Sequence, residues 1–150
     1  MELVATAPAV RRAALGTTDT EPRTVAAQRA WLAAHSAAYP VVVAAVDDES
    51  AGFAALAPDR PKPAFRHTVE DSVYVDRAWR GRGVGRLLLE HLVDRARSAG
   101  HRSVMARITV ENVASRRLRE ALGFRLVGTE EEVAFKLGRW VDVALYQRRL

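Results

Sequence analysis

One stretch limits the folds open to this 150-residue chain more than any other: Val73-Tyr74-Val75-Asp76-Arg77-Ala78-Trp79-Arg80-Gly81-Arg82-Gly83-Val84-Gly85-Arg86, which runs straight into Leu87-Leu88-Leu89. A β-rich run, a turn of arginines and closely spaced glycines, and an apolar helical pattern follow one another without a break. Such a turn is the sequence form of an anion cradle, because glycine lets backbone N–H groups approach a phosphate closely at a helix N-terminus. Arg80 and Arg82 add fixed positive charge. An ordinary glycine-rich turn is the bland alternative, and the strand before and helix after it favour a pyrophosphate grip.

The flanking sequence sets the fold class. Thr24 is a candidate N-cap for a helical stripe of Val25, Gln28, Trp31, Leu32 and His35, which stops before Tyr39-Pro40. Val41–Val46 and 51–57 are apolar runs around the polar turn Asp47-Asp48-Glu49-Ser50, the pattern of a hairpin. Residues 58–63 carry loop prolines, and Thr68–Val75 resumes strand character, with Val73 and Val75 on one face and Tyr74 on the other. In the next helix Leu88, Leu92 and Ala96 share a face, with Gly100 placed to end it. A strand at Ser103–Thr109, a short helix at 113–122 closed by Gly123, and strands at 124–127, 132–136 and 141–147 complete the order. That order predicts an α+β domain with a mixed sheet; a doubly wound dinucleotide fold needs regular strand and helix alternation from the start.

Length predicts a single domain over 1–150, since a chain of this size buries about 68–70% of its unfolded surface. No window approaches the roughly 18 apolar residues of a membrane span, and residues 1–15 lack the continuous apolar region of an export signal. The absence of cysteine excludes disulfides, thiolate metal sites and a cysteine nucleophile, and fits a cytoplasmic protein. His35, His67, His91 and His101 are scattered, so no metal site is expected. The net charge of +5 comes from arginines spread between Arg11 and Arg149. A solvated basic surface is therefore favoured over nucleic-acid binding, and a local patch for an anionic cofactor is compatible with it.

The order strand, Arg-x-x-Gly-x-Gly, apolar helix resembles the acyl-CoA pyrophosphate loop of the GNAT superfamily of N-acetyltransferases. Asn112-Val113-Ala114-Ser115-Arg116-Arg117-Leu118-Arg119-Glu120-Ala121-Leu122-Gly123-Phe124 is similar to the Asn-x-x-Ser helix and Gly-Phe turn found late in these enzymes. Within the superfamily, residues 19–150 resemble the phosphinothricin acetyltransferase and amino-acid N-acetyltransferase subgroup. The matching segments are Thr20-Glu21-Pro22, Thr68-Val69-Glu70-Asp71-Ser72-Val73-Tyr74-Val75 and Gly138-Arg139-Trp140-Val141-Asp142-Val143.

The resemblance implies a GNAT fold: a mixed central sheet splayed at the cofactor site, with flanking helices. It implies acetyl-CoA as acetyl donor and direct transfer to a small amine, an amino acid or an analogue such as phosphinothricin. Backbone at Val73, Tyr74 and Val75 is then expected to hold the pantetheine arm. Arg80, Gly81, Arg82, Gly83, Val84, Gly85 and Arg86 are expected to hold the pyrophosphate, and Asn112 and Ser115 the far side of the cofactor. For Asn112 a helix N-cap is the competing reading. Glu70 falls where the family places its general base, and burial of such a carboxylate raises its pKa toward a useful value. Asp71 is the rival, although adjacent strand residues face opposite ways. Relatives are often dimers, which leaves a homodimer open.

Three segments depart from the family pattern. Arg119 stands where relatives carry histidine or tyrosine; a guanidinium is no ordinary proton donor, but it can stabilise a departing thiolate electrostatically. Lys62-Pro63-Ala64-Phe65-Arg66-His67 replaces a segment that faces substrate in relatives, so Lys62 and Phe65 are the substrate-side candidates, with Lys62 or Arg66 as carboxylate anchor and surface solvation as the competing reading. Residues 1–16 are too short for the strand and long helix expected before Thr17-Thr18-Asp19-Thr20. The first strand and helix are thus expected to be incomplete, through a truncated or misassigned start or because this atypical segment replaces the strand alone. An absent first strand would expose the edge of the Val41–Val46 hairpin. Two readings from other classes are a CoA-binding module without catalysis and an arginine-driven nucleic-acid binder.

Overall fold

A computed structural model describes residues 24–46 and 49–150, together with the backbone of residues 2–3. The Thr17-Thr18-Asp19-Thr20 turn, Thr20-Glu21-Pro22, nearly all of the 1–16 segment, and Asp47-Asp48 lie outside the described residues. The elements follow the order β1 (Glu2–Leu3), α1 (Val25–Ala33), β2 (Val41–Val46), β3 (Glu49–Pro58), β4 (Thr68–Val75), α2 (Val84–Ser98), β5 (Ser103–Thr109), α3 (Val113–Ala121), β6 (Arg125–Lys136) and β7 (Arg139–Arg149). Among the described residues the strands make one sheet in the order β1-β2-β3-β4-β5-β7-β6. Among these residues only β4 and β5 pair in parallel, so the sheet is mixed, as the element order predicts.

Local signals account for the helices. Thr24 Oγ1 accepts from Ala27 N–H at 3.1 Å and starts α1. Gly83, left-handed at φ 80°, starts α2, a conformation that costs other residues a Cβ clash. Leu88, Leu89, Leu92, Val93 and Ala96 of α2 are buried against the sheet, and each leucine gains roughly 1.5–3 kcal/mol from leaving water. Tyr146 of β7 ties α3 to the sheet, donating to Glu120 Oε1 at 2.7 Å and accepting from Arg116 Nε at 3.2 Å.

The helices divide between the two faces of the sheet. A Cβ on Gly52 would stand 3.3 Å from Leu88 Cδ1, so that face of β3 lies under α2. One residue on, the Phe53 ring lies 6.0 Å from that of Trp31 in α1 and stacks on Tyr74 at 5.8 Å. Since strand residues alternate, α1 and Tyr74 share the face opposite α2. A Cβ on Gly85 would meet Leu118 Cδ2 at 3.3 Å and Val75 Cγ2 at 3.4 Å, which places α3 on the α2 side and makes the approach of the two helices a close one.

The central strands part. Pairing of β4 with β5 covers Thr68–Ser103, Val69–Val104 and Glu70–Met105 and then stops. From there β4 continues with β3 as far as Val75–Gly52, while β5 continues with β7 as far as Thr109–Val143. The expected splay is present, and it begins at Asp71.

Several expectations change in detail. The two strands expected at 124–127 and 132–136 are one strand, β6, with register irregularities after Leu126 and Glu130. Glu132 takes φ 49° and turns its N–H to Asp142 Oδ1 at 2.8 Å, so a bulge bends the strand between the two expected segments. Glu49 and Ser50, read as turn residues, pair within β3. The first strand is two residues long and covers Ala44 and Ala45, leaving Val41–Val43 of β2 without an outer strand among the described residues.

Candidate active site

At the parting of the strands two neighbouring carboxylates point to opposite faces. Glu70 shares the α1 face with Tyr74. Its Oε2 accepts from Arg107 Nη1 at 2.7 Å, and the same nitrogen donates to Asp59 Oδ1 at 2.9 Å. Met105 pairs with Glu70 across the last parallel rung, so Arg107, two residues on, projects on the same side. Asp59 just follows β3, two residues past Ala57, the antiparallel partner of Glu70. Asp59 is almost enclosed at 4% side-chain exposure, whereas Arg107 and Glu70 keep 26% and 31%. Burial pushes the Glu70 carboxyl above its ordinary value; the Arg107 charge and hydrogen bond oppose that rise, and Asp59 and Asp71 add to it. Arg60 stands on the other side of Asp59 at 3.5 Å, so two carboxyl groups and two guanidiniums form the cluster, and Glu70 is the carboxyl in it that keeps contact with solvent.

Asp71 faces the other way, into the protein. Arg119 of α3 grips it with Nη2 on Oδ1 and with Nε on Oδ2 at 3.3 Å, and the pair keeps only 4% and 0% side-chain exposure. Arg119 Nη1 also donates to Ser115 Oγ at 2.6 Å and to Ser115 O at 3.4 Å. Since β4 has lost β5 at this point, this ion pair bridges from the splayed strand to the helix above it. The guanidinium weighed from sequence as a thiolate stabiliser is thus committed to a buried carboxylate and a serine. Its grip also fixes Ser115 Oγ as an acceptor, leaving the hydroxyl hydrogen for another partner.

The glycine loop sits at the far end of β4. Asp76 Oδ1 caps a short 3-10 turn, Arg77–Trp79, by accepting from Ala78 N–H at 3.0 Å, and Arg80 Nε donates to Val75 O at 3.2 Å. Gly81 and Gly83 have φ of 74° and 80°, and a Cβ on either would meet nothing within 4 Å, so their surroundings are open. The first N–H groups of α2 have no carbonyl one turn before them. These features fit the phosphates of a nucleotide-bearing cofactor, bound by backbone donors and the positive end of a 15-residue helix.

Not every side chain expected there is available. Val84 is buried in the core, which leaves only its backbone N–H for a ligand. Arg82 lies over Trp79 at 5.1 Å from the ring centroid, and Arg86 turns along α2 to Glu90 Oε1 at 2.8 Å. Val73 and Val75 pack against the core while Tyr74 faces Phe53, the alternation read from sequence. Asn112 caps α3, its Oδ1 accepting from Ser115 N–H at 3.1 Å, the competing reading of that residue.

Lys62 precedes a second 3-10 turn, Pro63–Phe65, and is exposed. Phe65 carries Arg60 over its ring at 4.9 Å, and Arg60 Nε lies 3.5 Å from Asp59 Oδ2. Phe65 is therefore linked to Glu70 through Arg60, Asp59 and Arg107, whereas Lys62 and Arg66 are not in that chain. Asp59 and Arg107 were missed by sequence reasoning. The available signal was a lone arginine in the otherwise apolar core of Ser103–Thr109. Among the described residues no group of histidine and carboxylate side chains is arranged to hold a metal, and no helix is long and apolar enough to cross a membrane.

A splayed mixed sheet with a glycine turn at the head of its central helix defines a class of acyl-CoA-dependent transferases. The model of the Acetyltransferase (GNAT) family matches residues 7–124, and the chain belongs to that family and is an acyltransferase by descent and fold. It is 39% identical over 135 residues to the L-methionine sulfoximine/L-methionine sulfone acetyltransferase of Salmonella typhimurium, covering 89% of this chain and 76% of that one. The phosphinothricin N-acetyltransferase of Streptomyces coelicolor is 42% identical over 138 residues, with 89% and 81% covered. A GNAT superfamily phosphinothricin acetyltransferase from Sinorhizobium meliloti, solved in complex with acetyl-CoA, superposes with a TM-score of 0.86 at 36% identity, covering 91% of this chain and 75% of that one. The chain falls with the phosphinothricin acetyltransferase subgroup recognised from its motifs.

Proposed function

We propose that this protein transfers acetyl from acetyl-CoA to the amino group of an amino acid or a close analogue, with Glu70 as general base. The observation that carries the proposal is the position of Glu70: the last residue of β4 paired to β5, at the mouth of the splay, partly wet and raised in pKa. The names of the relatives, which act on methionine sulfoximine, methionine sulfone and phosphinothricin, support an acceptor of this class. Acetyl-CoA supplies an acetyl group already activated as a thioester.

The residues of this chain do the rest. Gly81, Gly83 and the first N–H groups of α2 receive the phosphates, with Arg80 and Arg82 beside them. The splayed segment at Val73, Tyr74 and Val75 offers backbone groups to the pantetheine arm, and Ser115 and Asn112 flank it from α3. Glu70 takes the proton that the amine must lose. The nitrogen lone pair then forms the new C–N bond, the C–S bond breaks, and its electron pair leaves on sulfur, which takes a proton from solvent. The chain contains no cysteine to carry an acyl intermediate, which favours direct transfer within one cleft.

Release of free CoA thiol, followed with a panel of amino acids and amines, tests the proposal. Thiol release that depends on an amino acid is expected; CoA binding without release for any acceptor would leave only a cofactor-binding module. A homodimer belongs to the same proposal. Exposed Val133, Phe135, Leu137 and Trp140 at the β6–β7 turn give a second copy an apolar surface to cover, with the Phe135 and Trp140 rings 5.2 Å apart. Sedimentation at micromolar concentration should show two copies, and a monomer would refute it.

A further inference from the structure

Arg107 is held by one nitrogen. Nη1 makes both of its bonds, to Asp59 and to Glu70, and among the described residues Nε and Nη2 donate to no acceptor. With 26% of its side chain exposed beside a Glu70 that is 31% exposed, the guanidinium is accessible where the strands part. The edge formed by Nε–H and Nη2–H is a fork that matches the two oxygens of a carboxylate.

The geometry points to Arg107 as the residue that reads the carboxylate of an α-amino-acid acceptor on its Nε–Nη2 edge while the amino group of the same molecule lies on Glu70. This rests on the amine-acceptor reading above and narrows it. An α-amino acid carries both charged groups on one carbon, so an anion and a cation held side by side suit it, and Glu70 and Arg107 are 2.7 Å apart. Glu70 Oε1 is left for the amine, since Oε2 takes the Arg107 bond. Asp59 keeps the arginine in place from behind, and its near-complete burial makes that anchor rigid. A zwitterion adds no net charge to the cluster, whereas a simple amine leaves the fork facing water. Lys62 and Arg66, the anchors considered from sequence, are exposed and lie outside this chain of contacts.

The test reads binding apart from turnover. Calorimetry with and without CoA, where no acetyl can be transferred, compares an α-amino acid of neutral side chain with the amine that lacks its carboxylate. Arg107→Lys keeps a cation between Asp59 and Glu70 but removes the fork, and is expected to weaken the amino acid about ten-fold or more, equivalent to about 1.4 kcal/mol, with the amine changed far less. Arg107→Gln, which keeps amide donors without the charge, should rank the two ligands in the same way. Equal weakening of both ligands in both variants overturns the inference, as does a wild-type protein with no preference for the amino acid. Carboxylate-dependent binding without acetyl transfer would support this inference and defeat the transferase proposal; transfer blind to the carboxylate would do the reverse.

Discussion

Glu70 and Asp71 are consecutive, carry the same charge and sit at the same point of the sheet, yet they stand in different media. Asp71 is sealed under α3 in a two-point grip with Arg119, with no exposed side-chain surface. Glu70 looks out on the α1 face, shares its arginine with Asp59 and keeps contact with solvent. The alternation of a strand separates an acid that can exchange protons from one that holds two walls of a cleft together. It follows that removing each charge should damage the protein in a different currency.

The largest effect is expected from Glu70→Gln. The amide keeps the shape but cannot take a proton, so turnover should fall about 10²- to 10⁴-fold while CoA affinity is unchanged; steady-state kinetics and calorimetry read the two quantities separately. Wild-type turnover in this variant would move the base elsewhere. Arg119→Met or Asp71→Asn leaves one buried charge without its partner, and urea unfolding should show a loss of about 3–5 kcal/mol. Replacing both residues with apolar ones should recover much of that loss. If Asp71→Asn instead abolished turnover at unchanged stability, the roles of the two carboxylates would be exchanged.

How far the sequence could go is visible at the same two residues. Strand periodicity gave their opposite directions, and the order of strand, glycine turn and helix was legible at the far end of β4, because these are local patterns. The partners were not local. Arg107 meets Glu70 only because β5 lies parallel beside β4, and Asp59 joins them only because β3 runs antiparallel beside β4 and ends just past Ala57, the partner of Glu70. Arg119 was placed in the last helix correctly, but nothing in the chain order says that α3 crosses over Asp71. Val84 and Arg86 show the limit within the loop itself: a motif lists positions, while packing decides that one side chain is buried and that the other turns to Glu90. At β6, two strands were expected where a bulge lets one continue.

The glycine loop extends the comparison to the other end of β4. Gly83→Ala adds a methyl where there is free space, so any harm comes from holding φ 80°, about 1–2 kcal/mol of backbone strain. The strain is relieved by turning the amides away, so CoA affinity should fall about ten-fold or more. Turnover should be spared once CoA is saturating. An unchanged CoA affinity would place the phosphates elsewhere.

The smallest effect is a displacement in pH. A general base must be ionised to act, and the folded pKa of Glu70 is raised, first by burial, so the acid limb of kcat/KM should lie above the ordinary glutamate range. The linkage runs the same way: a carboxyl raised on folding contributes stability that is present below its unfolded pKa and lost as pH rises through the folded one. The form that the proposed base needs is thus the form that folding disfavours, and Arg107 is the group that moderates the conflict. Arg107→Gln removes the charge that opposes the rise, so the limb should move further up and the unfolding free energy should fall more steeply as Glu70 ionises. Asp71→Asn removes one of the lesser raising charges and should move the limb slightly down. A limb that stays fixed in both variants would mean that Glu70 does not control it, and the division of labour between the two neighbouring carboxylates would lose its kinetic support.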